Sequence, residues 1–130
     1  MIKLYTDAAT KGNPGPSAAG VLLVIDGQQI QLKHFLGTLS NHEAEFAATL
    51  FAFQQIPKYA RSNETIFFFT DSKIVDQSLA TNYAKHFQAY VDQINAIQDQ
   101  FPLVVSQWLP ERMNHGAHNL ALQALHADNQ

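Results

Sequence analysis

The stretch that decides the fold is Ile2–Gly27, "IKLYTDAATKGNPGPSAAGVLLVIDG". Ile2, Leu4 and Thr6 alternate with Lys3, Tyr5 and Asp7, which is the period of a strand. The strand is expected to end on Asp7 and to enter a nine-residue loop, Ala8 to Pro16, that holds two Gly and two Pro. "AAGVLLVI" follows as an unbroken apolar run and stops at Asp26-Gly27, a pair suited to a two-residue type I′ turn. "QQIQLKHFL" should therefore return antiparallel, making the first three strands a meander.

Beyond the meander the period changes. "GTLSNHEAEFAATLFAFQQIPKYA" repeats helically, Ser40 and Glu43 read as a capping box, and Pro57 is expected to end the helix. "ETIFFFTD" is apolar without alternation, as for a central strand buried on both faces, and Asp71 stands at its end. A short helix over "SKIVDQSLA" leads to a longer one in which Phe87, Val91, Ile94 and Phe101 recur at helical spacing. "PLVVSQWL" reads as a fifth strand, "PERMN" as a loop and "HGAHNLALQALHA" as a closing helix. The order is βββαβααβα, and helical crossovers make the fourth and fifth strands parallel to the first.

Composition narrows the function. The 130 residues are 46% hydrophobic and read as one domain over 1–130. With no Cys there is no disulfide framework, thiolate metal site or thiol nucleophile. No apolar run is long enough to span a bilayer and no leader stands at Met1, so the expectation is a cytoplasmic protein without a membrane partner. Eight Lys and Arg against eleven Asp and Glu leave a net charge of −3. A polyanion would then have to be met by a local patch and by metal ions.

In open α/β sheets, ligands gather beyond the carboxyl ends of the strands. If the fourth strand lies beside the first, Asp7 and Asp71 emerge together, and Glu45, one turn into the first helix, can point at the same place. Three facing acids repel unless a cation lies between them, and carboxylate oxygens suit Mg²⁺ or Mn²⁺. Taken singly, an Asp at a strand end more often serves a turn or a cap. Asp76, Asp92 and Asp99 read as solvated helix faces, and Phe67, Phe68, Phe69 and the Phe87 to Phe101 stripe as core.

"TDAATKGNPGPSAAG", "SNHEAEFAA", "FTDSK" and "WLPERMNHGAHNLA", in that order, resemble the ribonuclease H family of the bacterial and archaeal type I kind. The resemblance implies a five-stranded mixed sheet of order 3-2-1-4-5, strand 2 antiparallel, with helices on both faces. It implies an endonuclease that hydrolyses the RNA strand of RNA/DNA hybrids with two divalent ions, Mg²⁺ or Mn²⁺, leaving 3′-hydroxyl and 5′-phosphate ends. Asp7, Glu45 and Asp71 match three of the family's four metal-binding acids. Gly12, Asn13, Gly15, Asn41, His42, Ser72 and Lys73 fall at or beside positions that meet the hybrid, with His42 in place of an Asn. Glu111 is a candidate for the acid or product-release group.

Departures from the pattern define the alternatives. His118 stands where the fourth acid is expected, so it is expected to ligate the second, weaker metal, with Mn²⁺ favoured over Mg²⁺. Ala8 replaces the Gly after the first Asp, and the basic, Trp-rich protrusion is missing, with only Lys85 and His86 nearby. These changes motivate a second reading, a catalytically weakened or inactive module that binds hybrid or other nucleic acid. A third is a related nuclease with another polynucleotide substrate. His115 and His118 at i and i+3 could also hold a structural transition metal.

Overall fold

The computed structural model describes residues 1–127. Ten elements follow one another: β1 (Ile2–Thr10), β2 (Gly15–Ile25), β3 (Gln28–Leu39), α1 (Asn41–Tyr59), β4 (Thr65–Thr70), α2 (Lys73–Thr81), α3 (Gln88–Gln98), β5 (Leu103–Trp108), a 3₁₀ turn (Glu111–Met113) and α4 (His115–Ala127). The sheet order is β3-β2-β1-β4-β5, and β2 alone runs against the others. This is the predicted topology. At the β2–β3 turn Asp26 and Gly27 both have positive φ, 51° and 79°, as a type I′ turn demands.

Two apolar layers hold the sheet. On one face Ile2, Leu4, Val21 and Leu23 pack with Phe46 and Phe53 of α1, Phe68 of β4 and Val91 and Ile94 of α3. On the other, Ala9 and Ala18 meet Ala121, Ala124 and Leu125 of α4. This second layer is built of small side chains because α4 lies almost on the strands. A Cβ at Gly20 would collide with the backbone of Ala117 and Ala121. Gly20→Ala should accordingly lower stability by about 3 kcal/mol, the upper range for overpacking, as a drop in the urea midpoint at unchanged m-value.

Four local expectations are corrected. β1 does not stop at Asp7: Ala8, Ala9 and Thr10 still pair with Ala19, Ala18 and Ser17, so the loop shrinks to residues 11–14. Those small side chains carry no apolar period, which is why the extension was invisible to patterning. Pro57 lies inside α1, in its last turn, where the amide that proline lacks is one bond near a helix end.

β4 alternates between buried Ile66, Phe68 and Thr70 and half-buried Thr65, Phe67 and Phe69, so only one of its faces is fully covered. Phe68 therefore belongs to the core while Phe67 and Phe69 sit at its margin. The capping box is half made: the Ser40 hydroxyl accepts from the Glu43 N–H at 3.2 Å, but the Glu43 carboxylate accepts from the Tyr90 hydroxyl at 2.8 Å. Burial and that carboxylate together push the Tyr90 hydroxyl up to about 12.

Candidate active site

The register of the sheet sets the site. Parallel pairing of β1 with β4 ends at Thr6 opposite Thr70, so the next residue of each strand, Asp7 and Asp71, leaves the pairing at the same level. Glu45, in the second turn of α1, is joined to this edge by the Ser72 hydroxyl, which donates to its Oε2 at 2.7 Å. Ser72 also caps α2, accepting from the Val75 N–H at 3.2 Å, so one side chain starts a helix and orients an acid.

Each carboxylate has its own donor. Asp7 Oδ1 accepts from the Ala8 N–H at 2.8 Å, and Oδ2 lies 2.8 Å from His118 Nδ1. Asp71 Oδ2 accepts from Asn114 Nδ2 at 3.1 Å, and Glu45 Oε2 lies 3.5 Å from His42 Nδ1. Burial, then the Asp71 carboxylate, pushes Asp7 up to about 6 against the pull of the His118 and Ala8 bonds. Asp71 is also raised, chiefly by burial, with Asn114 opposing and Glu111 and Glu45 adding to the rise. The fold therefore holds negative charge where water solvates it poorly, an arrangement that favours a cation or a proton.

Asn114 has a role that the motifs alone do not disclose. It is 1% exposed, and its Nδ2 donates both to the Thr6 carbonyl at 2.7 Å and to Asp71. Its backbone carbonyl accepts from the His118 N–H at 3.1 Å and so begins α4. One residue thus registers β1 and the end of β4 through its side chain and α4 through its backbone; the signal is its place at the head of the last motif. Asn114→Asp would aim an oxygen at two acceptors. It should cost about 3 kcal/mol of stability, read as a lower thermal midpoint, because a buried donor is lost and its partners are stranded.

The remaining candidates divide. Asn13 and Asn41 are brought together, the Asn41 N–H donating to Asn13 Oδ1 at 3.0 Å, which ties the β1–β2 turn to the start of α1. Gly12 has φ +94°, and Gly15 has no room for a Cβ against the Lys11 carbonyl, so both glycines are required by the turn itself. Lys73 lies over the Trp108 ring, and Glu111 stands 3.8 Å from His118 with its side chain 72% exposed.

Oxygen donors and crowded negative charge fit a hard divalent cation in chemistry. Among the described residues, however, no group of three or more His, Asp or Glu side chains stands in a metal-holding arrangement, the His115 and His118 pair included. In the present conformers Glu45 is turned to Ser72 and Asp7 to His118.

The family profile described as reverse transcriptase-like matches residues 5–124. The chain belongs to the ribonuclease H family. A relative in Enterococcus faecalis, named "Putative hydrolase EbsB", is 42% identical over 127 residues, 96% of this chain and 94% of the relative. A Ribonuclease H of Desulforamulus reducens is 30% identical over 88 residues, 68% of this family member and 53% of the relative, so the chain matches about half of that enzyme's length. The crystal structure of LC11-RNase H1 in complex with RNA/DNA hybrid superimposes with a TM-score of 0.90 at 21% identity, covering 100% of both chains, which shows the shared fold. Among the described residues no helix is long and apolar enough to cross a membrane.

Proposed function

We propose that this chain is a metal-dependent endonuclease that hydrolyses the RNA strand of RNA/DNA hybrids, leaving 3′-hydroxyl and 5′-phosphate ends. The observation that carries the reading is the emergence of Asp7 and Asp71 from adjacent parallel strands, with Glu45 tied beside them through Ser72. Membership of the ribonuclease H family supports the substrate class, and the four-residue turn tied to α1 would supply a rigid edge for it to lie against.

In this reading Asp7, Glu45 and Asp71 would hold two divalent ions, Mg²⁺ or Mn²⁺, with His118 beside them. When bound, such ions activate water and neutralise the phosphoryl charge of an in-line displacement. The chain's own residues do the positioning. Asn114 fixes one oxygen of Asp71 and Ser72 one oxygen of Glu45, and among the described residues the other oxygen of each accepts no hydrogen bond. Asp7 has both oxygens engaged, yet each carboxylate oxygen keeps a second lone pair. Asn13, Asn41 and His42 line the start of α1, where 2′-hydroxyls can be met by groups that donate and accept.

The test is a hybrid carrying a labelled RNA strand, incubated with Mg²⁺ and with Mn²⁺ beside single-stranded RNA and duplex DNA. Cleavage of the hybrid's RNA alone is the expected result; equal cutting of duplex DNA would indicate a different polynucleotide. The His118 to Asp7 contact favours a second reading, a weakened module that binds hybrid without turnover. Binding with no cleavage under either metal would establish that one.

A further inference from the structure

Lys73 is placed against local electrostatics. It is the first residue of α2, where the helix dipole disfavours a cation, and it follows two residues after Asp71. Among the described residues it nevertheless forms no ion pair with a carboxylate. Its ammonium lies 5.3 Å from the centroid of the Trp108 ring instead. That ring is itself fixed: the indole N–H donates to the Asp71 carbonyl at 2.9 Å, the residue pairs with Thr70 at the end of β5, and the Leu109 N–H donates to the Thr70 carbonyl at 2.9 Å. Trp108 is 37% exposed, although an indole whose N–H is already bonded gains most from burial.

We propose that Trp108 is a substrate-positioning residue, whose exposed face holds the Lys73 ammonium beside Asp71 so that the pair receives a phosphodiester of the bound nucleic acid. This rests on the nuclease reading above. A cation placed on an aromatic face keeps its charge without being neutralised by the acids next to it. It therefore stays available to a phosphate oxygen, and a single ammonium suits such a point contact. The chain as a whole, at −3 net, offers little other attraction for a polyanion.

Trp108 is the chain's single tryptophan, so its emission reports on this place alone. A hybrid titrated into the full chain in excess chelator, where nothing is cut, should change that emission saturably. Labelled-hybrid anisotropy should then show Lys73→Gln and Trp108→Leu each weakening binding by about threefold to fivefold. The double variant should be no weaker than either single one, the salt slope should shrink by about one, and Trp108→Phe should restore most of the affinity. In turnover the loss should fall on KM, with kcat held.

If wild type binds and cuts hybrid while both single variants match it in affinity, the pair is only a surface contact and the proposal is overturned with the nuclease reading intact. Loss with Lys73→Gln but not Trp108→Leu overturns the role of Trp108. A wild-type chain that neither binds nor cuts hybrid overturns both readings.

Discussion

Asp7→Asn is expected to abolish hybrid cleavage and, at the same time, to make the metal-free protein more stable. The first effect should be about a thousandfold, matching the several kcal/mol that a bound metal contributes to phosphoryl chemistry. The second follows from linkage. The folded protein holds the Asp7 proton more tightly than the unfolded chain does, with a pKa near 6 against 3.8. Its charge therefore adds no penalty below about pH 4. The penalty grows as pH rises through 6 and is complete above it. Removing that charge while keeping an amide that can still meet His118 should raise the thermal midpoint at pH 7.5 by about 3 °C, roughly 1 kcal/mol for a chain of this size. The gain should vanish at pH 4. Thermal scans of both proteins in chelator at the two pH values check this, and a variant less stable at pH 7.5 would contradict it.

His118→Asp should move the enzyme in the opposite direction. The imidazole stands 2.8 Å from Asp7 Oδ2 and relieves part of the repulsion between Asp7 and Asp71. A carboxylate in its place adds a third negative charge to two acids already raised. The metal-free variant should then melt at a lower temperature, most clearly above pH 6. Divalent ions would gain an oxygen donor that suits Mg²⁺ better than imidazole does. Mg²⁺-supported cleavage is expected to rise about tenfold or more, within the range that groups around a metal control. Steady-state rates in Mg²⁺ and in Mn²⁺ decide it: a rise confined to Mg²⁺ supports the account. No change in either metal would mean that His118 lies outside the chemistry.

Much of this could be read before any coordinates. The meander and the two crossovers follow from apolar periods and one Asp-Gly turn, because those signals are local and strong, whereas the sheet order is what the family resemblance implies. Asp7 and Asp71 are legible for the same reason, Asp7 on an alternating strand and Asp71 directly after an apolar one. What could not be read was what each side chain touches. The end of β1 is not legible in sequence, because Ala8, Ala9 and Thr10 are held by backbone pairing, which leaves no pattern. Pro57 reads as a stop in sequence, but its cost depends on how many helical residues follow, and here only two do. Glu43 matched a capping box by spacing, yet its carboxylate goes to Tyr90, a partner 47 residues away. Asn114 joins elements separated by more than 100 residues, from Thr6 to α4, and only the folded chain reveals it. Gly20 is required by the approach of α4, again a long-range fact.

The most direct measurement is calorimetric titration of Mn²⁺ into the metal-free protein at pH 7.5, wild type beside Asp71→Asn. Because the crowded acids just past the last β1–β4 pair would serve a divalent ion, wild type should show saturable uptake and the variant should lose it. No uptake by wild type, or equal uptake by the variant, would contradict the account.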